Sequence, residues 1–258
     1  SSIVNQGNIS AANAGFVALL APEVINQGLI SARLGTVALA AGDKVSLDLK
    51  GDGLLSFNID RAALAALAEN RGLIQANGGQ VILGARSAGD LMATVVNNTG
   101  VIEANTMIER NGVIVLDGGS QGIVKNQGSL IATGIDSGQT GGTVKVLGDK
   151  VGVMASAVID ASGTSGGGEI LIGGNYQGKG IESNASVTYV DQDSSIKANA
   201  LNSGSGGRVI VWANDATRFY GSIEAKGGVN GGDGGFVETS GDWLATNETR
   251  VKAKDWLL

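Results

Sequence analysis

With 258 residues, 43% of them hydrophobic, the chain can bury a continuous core, and its 43 glycines and single proline stay below the share that marks low complexity. A formal charge of −6 with no Lys/Arg cluster argues against nucleic acid and anionic lipid, and no apolar run reaches the roughly 18–20 residues of a membrane span. Cysteine and histidine are absent, which removes disulfides, thiolate chemistry and the commonest general base and metal ligand, so no cofactor, metal or enzymatic activity is assigned.

Ser1 opens directly on a strand-like run with no signal peptide, so the chain reads as a fragment of a longer protein. From there one unit repeats to the end. Asn-x-Gly-x-Ile-x-Ala is followed, after a variable loop, by Gly-x-Val-x-Leu, as in Asn26-Gln-Gly28-Leu-Ile30-Ser-Ala32 and Gly35-Thr-Val37-Ala-Leu39. The aliphatic position falls at Ile9, Ile30, Ile74, Ile102, Leu130, Ile159, Ile196, Ile223 and Val251, with alanine two residues after each. A second set runs Val17, Val37, Val81, Ile114, Val144, Ile170, Val209, Val237, and a third, two residues on, from Leu19 to Thr239.

Apolar residues alternate with period two inside each unit, and most units repeat after 27 to 29 residues. Short strands, glycine turns and this step predict an all-β right-handed parallel β-helix, one coil per unit. Its aliphatic residues stack as ladders in the bore, each buried side chain contributing roughly 1.5–3 kcal/mol. About ten coils would make a rod roughly 45–50 Å long. Asn5, Asn26, Asn70, Asn98 and Asn126 precede the aliphatic position by four residues, where they suit a turn and can form an amide ladder.

The step of 44 between Ile30 and Ile74 contains an insertion near residues 44–69. Residues 44–59 alternate as two strands around a turn at 50–53, and Asp60 resembles a helix N-cap before the alanine-rich residues 61–68. The chain is otherwise one continuous unit over residues 1–258, with coils from 70 onwards. After Leu147 the turn asparagines fade and glycine-rich loops widen at 162–168, 203–207 and 227–235. No phosphate-loop pattern or calcium repeat fits these loops.

All three Trp and all three Tyr lie in that second half. Trp212, Phe219, Tyr220 and Tyr176, with Tyr189, are the candidates for stacking on a sugar; the alternative is that they fill space in wide coils or under loops. The carboxylates Asp191, Asp193, Glu224, Asp233 and Glu238 are scattered as on solvated strand faces, with no histidine to complete an acid/base pair. Asn8, Asn97, Asn184 and Asn247 sit in N-x-S/T sequons, which arise often by chance in an Asn-rich chain.

Four stretches carry a family resemblance: Thr217-Arg-Phe-Tyr-Gly-Ser-Ile-Glu-Ala-Lys-Gly-Gly228, Gly231-Gly-Asp-Gly-Gly-Phe-Val-Glu-Thr-Ser-Gly241, Ile172-Gly-Gly-Asn-Tyr-Gln-Gly178 and Lys254-Asp-Trp-Leu-Leu258. They resemble the filamentous-haemagglutinin-like exoproteins, the cargo of two-partner secretion, which include the high-molecular-weight adhesins. The resemblance implies that residues 1 to about 50 are the tail of the secretion domain and that the β-helix following it makes up the rest. It implies export by an outer-membrane transporter to the surface of a Gram-negative bacterium, and a structural role in adhesion, aggregation or biofilm. The family's Asn-Pro-Asn-Gly type signature has no counterpart, since Pro22 is the only proline, so transporter recognition is expected to need an N-terminal part outside this sequence. The expected state is a monomer, and no catalytic residue carries over. The alternative reading is a carbohydrate-binding module that touches host glycan or exopolysaccharide directly.

Overall fold

A computed structural model describes residues 1–49, 54–88, 94–107 and 110–258. Three nine-stranded sheets, A, B and C, run the length of the molecule, and every pairing within them is parallel. Each coil gives one strand to each sheet in turn. The first coil supplies Ser2–Asn5, Asn8–Ser10 and Phe16–Ala21; the ninth supplies Trp243–Ala245, Arg250–Lys252 and Asp255–Leu257. This is the right-handed parallel β-helix that the repeat predicts. Eight inter-coil steps make a rod of about 38 Å, shorter than ten coils would give.

The registers follow the repeat residue for residue. In sheet B, Ile9, Ile30, Ile74, Ile102, Leu130, Ile159, Ile196, Ile223 and Val251 pair in succession. Ile30 through Ile223 are fully buried, whereas Ile9 and Val251 are only partly covered because they sit in the end coils. The alanines two residues on join the same core, as do the Val17-to-Val237 and Leu19-to-Thr239 rows of sheet C. A one-residue slip would turn every such row to solvent, so the hydrophobic pattern itself opposes any slip in register.

At the corner between sheets A and B the five asparagines form the amide ladder. Asn5 donates to Asn26 (2.8 Å), Asn26 to Asn70 (2.8 Å), Asn70 to Asn98 (2.9 Å) and Asn98 to Asn126 (2.8 Å). Each of these amides also donates to the carbonyl of the glycine two residues later. Buried amides must find partners, and here each finds its counterpart one coil away. The glycines explain themselves by close approach: a Cβ on Gly28, Gly72, Gly100 or Gly128 would collide with the carbonyl oxygen of the glycine one coil below.

The insertion is half as expected. Lys44–Leu49 and Leu55–Arg61 pair antiparallel with Leu47 opposite Phe57 and Val45 opposite Ile59; the expected turn at 50–53 lies outside the described residues. The hairpin folds back over sheet C, where Phe57 lies against Gly84, and the Leu55 amide donates to Thr36 Oγ1 (3.0 Å). The expected helix over 61–68 does not form. Arg61 ends the second hairpin strand, Ala63 bridges to Ser87, and Leu67–Asn70 is already the sheet A strand of the third coil. Ala68 must stack on Val24 and Asn70 on Asn26, and that tertiary demand overrides the helix propensity of a segment too short to be helical alone. Among the described residues, no helix is long and apolar enough to cross a membrane.

Candidate functional site

Alternation along a strand places each aromatic candidate. In Ala216–Phe219, Thr217 and Phe219 point inward while Ala216 and Arg218 point out. Phe219 is fully buried, stacked in the row Asn126, Val153, Val190, Phe219 that continues the asparagine ladder with apolar side chains. It has no ring face to offer a sugar, and the expectation for this residue is corrected: Phe219 is core. The others fall in two separate places. Tyr176 belongs to an excursion over sheet C, and Trp212, at the end of the sheet C strand Arg208–Trp212, lies against it; Tyr220 pairs edge-to-face with Tyr189 (centroids 6.0 Å) at the sheet A–B corner.

The excursion, residues 173–186, leaves the sheet C strand Glu169–Ile172 of the sixth coil and folds back across the outer face of that sheet as a strap. Its one helical element is the 3-10 turn Tyr176–Gly178, capped by Asn175, whose Oδ1 accepts from the Tyr176 amide (2.7 Å). Gly178 (φ 64) is required there because the Trp212 indole occupies the place of a Cβ. Beneath lie Leu171 and Ile210, both fully buried although they point out of the β-helix.

Polar contacts fasten the strap at several points. Lys145 Nζ lies 2.8 Å from Glu182 Oε1, and Asn175 donates to Glu182 Oε2 at 2.8 Å. The hydrogen bond from Lys145, seconded by that from Asn175, holds the Glu182 carboxyl at about 2 against the opposing effect of burial. Arg208 donates to Glu169 (3.0 Å) and Asn175 (3.1 Å), and its guanidinium lies 5.6 Å from the centre of the Tyr176 ring. Tyr176 meets Phe236 edge-on at 5.7 Å, and the buried Glu238 carboxylate accepts from the Gln177 amide (3.1 and 3.2 Å).

Tyr220 lines the other place, a polar cleft on the outer face of sheet B in the last three coils. Gln192, Asp193, Ser195, Ser222 and Arg250 complete its wall, and it continues past Lys197 to the pair Glu224–Lys252 (3.1 Å). The scattered carboxylates are mostly engaged: Asp191 accepts from Tyr189 Oη (2.9 Å), Glu224 is flanked by Lys226 and Lys252, and Asp233 pairs with Lys254 (2.6 Å). Those lysines hold Glu224 and Asp233 below the usual carboxylate range, as expected of ion pairs rather than acid/base catalysts. No cluster of metal-ligating side chains occurs among the described residues. Of the sequon asparagines, Asn8 and Asn247 are exposed, while Asn97 donates to Glu69 (2.7 Å) and Asn184 to the Gly178 carbonyl (2.7 Å).

The glycine-rich loops are parts of the architecture. Gly134 bridges to Gly163 and Gly163 to Ala200 in parallel, and Asn230 donates to Asn202 (2.6 Å), so successive loops stack as the coils do.

No protein-family model and no curated protein matches the chain. Among solved structures, the crystal structure of the HMW1 secretion domain from Haemophilus influenzae is similar, with a TM-score of 0.84 and 33% sequence identity. The match covers all of this chain and 66% of that one, so the chain spans a little under two thirds of the length of the structure it resembles. At this identity the likeness carries more than fold. The likeness supports the family that the sequence resembles, the exoproteins of two-partner secretion.

Proposed function

We propose that the chain is a structural β-helical segment of a large surface adhesin, exported across the outer membrane of a Gram-negative bacterium by a two-partner-secretion transporter. One observation carries the reading: nine coils share a single uninterrupted core that runs the length of the rod. A rod of this kind presents other parts of an exoprotein at a distance from the cell, in support of adhesion, aggregation or biofilm. The likeness over the full chain favours placing all 258 residues within the secretion domain, in preference to a boundary near residue 50. The outer-membrane transporter is the partner this reading implies, and the segment is a monomer.

The test is surface exposure in cells that make the whole exoprotein. An antibody against this chain should label intact cells that carry the outer-membrane transporter and should fail to label cells without it. Label that stays inside the outer membrane in both strains would contradict the reading.

A second reading, direct contact with glycan, is favoured by the cleft at Tyr220. It combines an aromatic edge, serine hydroxyls, and the side chains of Arg250 and Lys197, which make no ion pair among the described residues. Such mixtures of ring and hydrogen-bonding groups suit a sugar. A glycan array separates the two: micromolar binding that Tyr220→Ala and Arg250→Ala each abolish supports the second reading, and no saturable binding by the purified rod supports the first.

A further inference from the structure

Stacked coils touch only their neighbours, so a bare solenoid opens coil by coil, most easily from its ends. The strap breaks that rule. It leaves the sixth coil, yet it is fastened to the fifth through Lys145–Glu182, to the seventh through Arg208–Asn175 and the Trp212 ring, and to the eighth through Glu238–Gln177 and Phe236–Tyr176. Two of these ties have no equivalent elsewhere in the repeat. Glu238 is a buried carboxylate whose one hydrogen-bond donor among the described residues is a backbone amide 61 positions earlier. Glu182, in turn, takes both a lysine from the coil below and the capping asparagine of its own turn.

We infer that the strap is an axial latch: it couples the fifth to the eighth coils so that they open as one unit, and it locks only once the eighth coil is in place. The second half follows from chain order. Asn175, Tyr176 and Gln177 precede their partners Arg208, Phe236 and Glu238, so a chain folding from its N-terminal end forms the strap first and fastens it two coils later. Until then Leu171 is covered by a strap held from one side, at Lys145. The hairpin at 44–61 rides on sheet C in a similar way, but its described hydrogen bonds to the rod reach only the Thr36 and Gln80 side chains of adjacent coils.

The test perturbs one end and reads the other. Lys145→Met removes the tie to the fifth coil and touches nothing in the eighth; Asn175→Ala weakens the middle. Native-state hydrogen exchange of the intact chain is followed by mass spectrometry in the strap, in Phe236–Ser240 and, as a control, in Thr36–Ala41. The latch predicts that both variants raise exchange in Phe236–Ser240 by about 10- to 100-fold, as expected for losing a hydrogen bond to a charged group, while Thr36–Ala41 is unchanged. Faster exchange confined to the strap and the fifth coil would overturn the coupling. A strap that stays fully protected in both variants would overturn it too, because these contacts would then not be what holds it.

Discussion

The two halves of the rod solve one problem with different chemistry. At the sheet A–B corner the first five coils stack Asn5, Asn26, Asn70, Asn98 and Asn126, and the next three continue the same row with Val153, Val190 and Phe219. The amide ladder is directional and tolerates no slip, since each side chain must meet its own kind one coil away. The apolar row is indifferent to neighbours of unlike size. The outer face of sheet C shows a parallel difference: near the N-terminus a hairpin covers it with apolar side chains, and in the later coils a strap covers it with ion pairs and rings. Register is thus enforced by polar self-complementarity first, and later by longer-range ties.

The comparison can be broken or sharpened by substitution. The largest effect is expected where the halves agree, in the aliphatic row. Ile102→Asp places a charge without a partner in the bore and should lower stability by more than about 4 kcal/mol in urea unfolding, with Ile159→Asp equally damaging. Equal stability of either variant and the unmodified chain would remove the row from the core. Next come the asparagines. Asn70→Val strands the Asn26 donor and the Asn98 acceptor together and should cost about 2–4 kcal/mol. Asn126→Val interrupts only the end of the ladder, already followed by Val153, and should cost about 1–2 kcal/mol. If the two cost the same, the ladder does not act as a chain of linked amides.

The smallest effect concerns pH. The Glu182 carboxyl lies near 2 in the folded chain, below its ordinary 4.5. A lowered value means that its stabilising contribution is complete above about 4.5 and disappears as pH falls through about 2. Solvent screens this pair in part, so Glu182→Gln should cost only roughly 1 kcal/mol at neutral pH, and the difference should shrink between pH 4.5 and 2 as measured by denaturant midpoints. A gap independent of pH would show that packing, not the ion pair, accounts for it.

Much of this was legible because it repeats. The aliphatic rows, the amide ladder and the hairpin follow from spacing and alternation, which a parallel stack converts directly into contacts. What failed was local or unrepeated. The alanine-rich residues 61–68 have helix propensity, but Ala68 and Asn70 are claimed by the rows of Val24 and Asn26. Phe219 looks like a free aromatic until its register with Asn126 through Val153 and Val190 is known. The strap joins Lys145, Glu182, Arg208 and Glu238, each used once, so no period could announce it. Tyr220, by contrast, was singled out from the sequence and does line a cleft, whereas Arg250 and Ser195 beside it carried no signal of their own.

The central claim is that distance along the rod counts coils and not residues. Ser10, Asp160 and Lys197 occupy equivalent outward positions in the first, sixth and seventh coils, joined through consecutive parallel registers. The chain has no cysteine, so spin labels can be placed cleanly at Ser10→Cys with Asp160→Cys, and at Ser10→Cys with Lys197→Cys. Pulsed electron–electron distance measurement should give narrow peaks near about 24 Å and about 29 Å, one strand spacing apart despite the 37 residues between Asp160 and Lys197. Broad distributions, or a separation that grows with the number of intervening residues, would contradict the coil account.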